Sequence, residues 1–147
     1  MAQLSEKRDY TLYWFQPTYD PEVLKRAVAL TQHDPYDQHA GNRETSVVKA
    51  IVPDLVHLDK AGQQSGVDLD RLNNLPHVYS GIWWYARYPN HYSGDGSKAN
   101  AEAGELILNS VVDQFVETIR NIKADKNVPE LQEQFFRESE NPLETEQ

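Results

Sequence analysis

The apolar pattern first stands out at Tyr10-Thr-Leu-Tyr-Trp-Phe15, which is rich in aromatic and β-branched residues and stops at Gln16-Pro17. That composition predicts a short strand leaving a sheet. Asp20-Pro21-Glu22 follows, with a capping residue, a proline suited to the first helical position and an early carboxylate. These open a helix through Val23, Leu24, Ala27, Val28 and Leu30, so strand and helix together read as half of a βαβ unit. Residues 31–41 lose periodicity in a polar loop holding His33 and His39. Beyond it Thr45 or Ser46 is placed to cap a helix over Val47, Val48, Ala50 and Ile51, which Pro53 interrupts.

Residues 59–77 are polar and contain Gly62 and Gly66, as a surface excursion or subunit contact would. The aromatic-rich stretch from Val78 to Tyr88 is expected to lie in the core or at an interface, with His77 just ahead of a strand. From Ser97 the positions Ala99, Ala103, Leu106, Ile107, Phe115, Val116, Ile119 and Ile122 follow helical spacing and predict the longest helix, fading at Lys123-Ala-Asp-Lys-Asn. After Pro129, Leu131, Phe135 and Phe136 suit one or two further amphipathic turns, and the rest reads as a solvated tail.

Composition narrows the function classes. The chain has 147 residues, 39% hydrophobic and 25% charged, which fits one ordinary domain. Its formal charge of -9 is concentrated partly in Glu130, Glu133, Glu138, Glu140, Glu144 and Glu146. No Lys/Arg stripe offsets it, so neither nucleic acid nor an anionic membrane is an expected partner. The absence of cysteine excludes disulfides, thiolate catalysis and Cys-ligated metals, leaving His, Asp and Glu as the only strong ligands. No apolar run approaches the roughly 20 residues that span a bilayer, and residues 1–9 lack the apolar centre of a secretory signal, so a cytoplasmic location is expected.

The segment with most chemical content is Asp37-Gln38-His39-Ala40-Gly41-Asn42-Arg43-Glu44-Thr45-Ser46, followed by Pro53-Asp54-Leu55-Val56. A loop histidine with small neighbours admits substrate and titrates near neutrality, so His39 is a candidate acid or base. Glu44, at the adjoining helix start, is placed to orient that imidazole, bind a metal or assist a metal-bound water. On the residues alone a structural histidine is the commoner outcome in such a loop. His33, Asp34, Asp37 and His39 make a weaker ligand cluster. His57 and His77 read as packing or surface residues, whereas His91 and Asp95 are placed to reach a site across a subunit boundary. Gly94-Asp-Gly96 is a turn and not a phosphate loop.

His39-Ala-Gly41, Glu44-Thr-Ser46 and Pro53-Asp-Leu-Val56, with Gly96-Ser-Lys-Ala-Asn-Ala-Glu-Ala-Gly-Glu-Leu-Ile-Leu108 further on, resemble two blocks of the creatininase family of metal-dependent amidohydrolases. The resemblance implies a three-layer α/β/α fold with a mainly parallel sheet, usually hexameric, with a two-metal site at the carboxyl ends of the strands. It implies His39 as the residue that stabilises the oxyanion or carries a proton to the leaving nitrogen. Trp14, Gln38 and Gly41 would line the substrate and Glu44 would serve a divalent zinc, manganese or iron ion. Creatininase has a glutamate before this histidine, with tryptophan and aspartate shortly upstream. Here the stretch reads Pro35-Tyr36-Asp37-Gln38, so a small cyclic or linear amide other than creatinine is expected.

The family's other metal-ligand segments, Glu-x-His, an aspartate and Asn-Gly-His, have no counterpart before Tyr10. Residues 1–126 are therefore expected to form the carboxy-terminal portion of a creatininase-like domain, truncated and short of most metal ligands, with 127–147 an acidic, flexible tail. The rival expectation is a non-catalytic protein serving only as an oligomerisation module.

Overall fold

The structure is a computed structural model describing residues 2–32 and 37–145. Its long helices are α1 (Pro21–Thr31), α2 (Asn42–Ile51), a single-turn α3 (Trp83–Arg87), α4 (Ala101–Ala124) and α5 (Asn127–Glu138), joined by turns and short 3-10 segments. The chain divides into two compact units. One comprises Thr18–Val112; the other takes the residues up to Pro17 together with those from Asp113 onward.

The expected three-layer α/β/α architecture with a mainly parallel sheet is not formed. Among the described residues there is no strand, and the sole β-type pairing is an isolated antiparallel bridge between His39 and Ser93. A strand is defined by its ladder of backbone hydrogen bonds, and residues 11–17 carry no regular secondary structure and no partner ladder. Their aromatic side chains are placed differently, within the terminal unit. Tyr10, Leu12 and Trp14 are exposed, while Tyr13 and Phe15 turn to helices. The Tyr13 hydroxyl donates to Asp125 Oδ2 at 2.7 Å, and the Phe15 ring lies 5.1 Å from that of Phe115. This hydrogen bond raises the Tyr13 pKa and lowers that of Asp125, because the phenol proton stabilises the carboxylate it faces. Asp125 also accepts from the Asn127 and Val128 amides and so caps α5, which runs 12 residues, longer than one or two turns.

The Thr18–Val112 unit begins as its sequence indicates. Asp20 caps α1, its Oδ1 accepting from the Glu22 and Val23 amides, with Pro21 at the first helical position. In α2 neither Thr45 nor Ser46 is the cap. The helix begins three residues earlier, after Gly41, and Asp37 Oδ2 accepts from the Arg43 amide at 2.9 Å. Ser46 is fully buried instead, and its Oγ accepts from the Asn100 amide just ahead of α4.

A small core of Ala27, Ala103 and Ile107, with Leu30 and Val47 packed on it, joins α1, α2 and α4. Small residues at the crossing let backbones approach: a Cβ on Gly104 would sit 2.0 Å from the Ser46 carbonyl oxygen.

The aromatic stretch forms no strand. Tyr79, Ile82 and Tyr85 are mostly exposed, whereas Tyr88 is buried. Arg87, at the end of α3, donates from Nε to Asp68 Oδ2 at 2.6 Å and completes an ion pair with it. That hydrogen bond holds the Asp68 carboxyl below the usual range. A depressed folded-state pKa stabilises the fold above the unfolded value, near 4, and the gain disappears as pH falls through the lower folded value. Asp68→Asn is therefore expected to cost about 1 kcal/mol at neutral pH, a partly exposed pair, and almost nothing in strong acid. Urea titrations at the two pH values would check this.

Candidate active site

The loop before α2 is pinned by main-chain bonds. The Gln38 and His39 amides both donate to the Ser93 carbonyl at 2.9 Å, and the Ser93 amide returns a bond to the His39 carbonyl at 3.0 Å. Ser93 is itself completely buried, so the histidine backbone is anchored to a fixed point. Ala40 then takes a left-handed conformation at φ 56°, which a larger or β-branched residue would adopt at greater cost. The turn delivers the chain into α2.

Glu44 ties this turn to the helix. Its Oε2 accepts from the Ala40 amide at 2.6 Å and lies 3.3 Å from His39 Nδ1. A carboxylate in the first turn is also favoured by the helix dipole. Thr45 Oγ1 adds a bond to the Ala40 carbonyl. The side chains of His39 and Glu44 remain about half exposed, 53% and 47%, so the imidazole is reachable. A carboxylate beside Nδ1 favours a proton there and leaves the Nε2 lone pair for chemistry.

The residues expected at the site separate into two groups. His39, Gln38, Gly41 and Glu44 are contiguous at the start of α2. Gln38 exposes its side chain, while Gly41 is buried because a Cβ there would meet the Asp37 carboxylate at 1.8 Å. Trp14 belongs to the terminal unit, with its side chain 88% exposed. Of the weaker cluster, His33 and Asp34 lie outside the described residues, and Asp37 is committed to capping α2. Asp95 caps the 3-10 turn at Gly96–Lys98, and its bonds to Ser97 lower its pKa.

Two participants were not visible as partners in the sequence. The Trp84 ring stands edge-on to His39 at 6.0 Å, and its Nε1–H donates to His91 Nδ1 at 3.0 Å. His91 thus joins the site within the same unit. Seven residues separate Trp84 from His91, and 45 separate Trp84 from His39, so no local spacing announces either contact. Alongside lies a cavity of about 630 Å³ lined by Glu44, His57, Lys60, His91 and Tyr92 together with aliphatic side chains.

The donor set does not by itself fit a divalent ion. Among the described residues no group of three or more His, Asp or Glu side chains is arranged to hold one, and Glu44 Oε2 already serves Ala40 and His39.

Comparison with known proteins places this geometry. The family model of creatininase, creatinine amidohydrolase, matches residues 1–119. A search of curated proteins finds no significant match. Among solved structures, a proposed creatinine amidohydrolase from Bacteroides fragilis superposes with a TM-score of 0.50 at 23% identity, over 64% of this chain and 38% of that one. At that identity the likeness concerns the fold, and the chain spans well under half the length of that structure. No helix of the described residues is long and apolar enough to cross a membrane. The family match, which takes in the pinned histidine loop and the start of α4, shows that this chain belongs to the creatininase family.

Proposed function

We propose that the chain serves in amidohydrolysis, with His39 handling the proton at a small cyclic or linear amide. The observation that carries this reading is the reachable imidazole with Glu44 Oε2 3.3 Å from its Nδ1, Glu44 itself lining the neighbouring cavity. With the Nδ1 proton held toward the carboxylate, Nε2 accepts a proton from the attacking water and returns it to the departing nitrogen. Glu44 acts through His39, setting its tautomer and orientation. Gln38 and Gly41 are assigned to the substrate side of the loop.

Family membership brings with it a divalent ion, zinc, manganese or iron. Its coordination is assigned to protein outside the described residues, with Glu44 contributing at most one oxygen. The active form is assigned to an assembly of copies, hexameric by the family's habit. A second reading, an association module without catalysis, draws on the exposed Tyr79, Ile82 and Tyr85, and sedimentation that detects a stable oligomer without turnover would favour it.

Glu44→Gln tests the first reading. It keeps the size of the side chain and an acceptor for the Ala40 amide while removing the charge beside Nδ1. Amide hydrolysis with added zinc, manganese or iron is expected to fall about tenfold or more, as the imidazole loses the carboxylate that orients it. Equal rates for the two proteins, or no turnover by the unaltered protein with any of the three ions, would overturn it.

A further inference from the structure

The cavity beside Glu44 has an uneven polar inventory. Most polar side chains on its wall are already committed. Glu44 serves Ala40 and His39, and Thr45 donates to the Ala40 carbonyl. Asn90 donates to Gln64 Oε1 and the Ser65 carbonyl while accepting from the Tyr92 amide. What remains is chiefly donors. Lys60 brings an ammonium, with Asp59 its acidic neighbour in sequence. His91 accepts at Nδ1 from Trp84, so in the neutral ring the proton resides on Nε2 and that edge donates. The Tyr92 oxygen accepts from the Gly96 amide, leaving its hydroxyl hydrogen to give away. His57 offers one donor and one acceptor.

The rest of the wall is aliphatic: Val48, Leu55, Val56, Leu58 and Ala61. At about 630 Å³ this open cleft has room for the body of a small molecule. A lining of aliphatic surface with surplus donors, one of them cationic, matches a ligand with an apolar body and a group rich in acceptors. A carboxylate meets that need best, since it accepts only.

We infer that this cavity binds the non-reacting part of the substrate, and that the substrate is an amide carrying a carboxylate on an apolar body, held by Lys60 with His91 and Tyr92. This rests on the amidohydrolase reading only for the word substrate; the binding of a carboxylate is independent of turnover. Lys60 is a specificity-determining residue and touches none of the groups that handle the proton.

The test is calorimetric titration of the purified protein with benzamide and with 4-carbamoylbenzoate, two probes that differ by one carboxylate. The unaltered protein is expected to bind the carboxylate probe about tenfold more tightly, the worth of one charge-assisted hydrogen bond. Lys60→Gln should abolish that preference, and Lys60→Arg should largely keep it. Lys60 is exposed, so neither change threatens folding, and far-UV circular dichroism verifies this. Equal binding of both probes, or a preference that survives Lys60→Gln, would overturn the inference. Hydrolysis followed in parallel separates the two claims. A Lys60-dependent preference without His39-dependent turnover leaves the pocket standing and removes the enzyme, and the converse result does the opposite.

Discussion

Gly104→Ala is expected to destabilise the protein by about 2 kcal/mol, although alanine is the better helix former. In an exposed helix the substitution would gain about 1 kcal/mol. Here the added Cβ meets the Ser46 carbonyl oxygen at 2.0 Å, its carbon at 2.4 Å and the Val47 nitrogen at 2.9 Å. These are backbone atoms of α2, held by that helix's own hydrogen bonds, and no rotamer change can relieve them. Overpacking of this kind costs about 1–3 kcal/mol, and a contact so short belongs at the upper end, so the steric cost outweighs the propensity gain. The melting temperature should fall by about 5 °C for a chain of this size. Gly62→Ala is the control, because nothing lies within 4 Å of a Cβ there. Thermal melts in which both variants match the parent would mean that α2 and α4 do not approach as described.

The second large effect concerns chemistry. His39→Ala is expected to lower kcat for amide hydrolysis by about 10²–10⁴-fold, the usual contribution of a positioned acid or base. Because the side chain is half exposed and its backbone is held by Ser93, the fold should survive and KM should change little. If the role is protonation of the departing nitrogen, the deficit should shrink for an activated anilide, whose amine leaves without full protonation. Rates on an alkyl amide and a nitroanilide give the comparison. An equal deficit on both would limit His39 to the attacking step or the oxyanion, and no deficit on either would remove it from catalysis.

Local signals in the chain were readable wherever the physics was local. Asp20-Pro21 opens α1 because a carboxylate satisfies free amides and proline's fixed φ suits the first turn. Pro53 ends α2 after Ile51, and the long apolar period from Ala103 to Ile122 runs through α4. The start of α2 was less legible. Its cap, Asp37, acts from six residues away across a turn, and Ser46 looks like a cap until Asn100 is seen to claim its hydroxyl.

The sheet was misjudged for a related reason. An aromatic and β-branched segment such as Tyr10–Phe15 states only that it is suited to burial. Whether a sheet or a pair of helices does the burying depends on which backbone lies alongside, and here Asp125 and Phe115 supply the contacts.

The sequence by itself determined the family, the helix-forming stretches and the imidazole with its nearby glutamate, because each is written in neighbouring residues. Only the tertiary structure decided that Glu44 Oε2 faces His39 Nδ1, that Trp84 meets both His39 and His91, and that Lys60 shares a cavity with Glu44 and His91. Those contacts join residues far apart in the chain, and their energies become available only after the intervening loops have been closed.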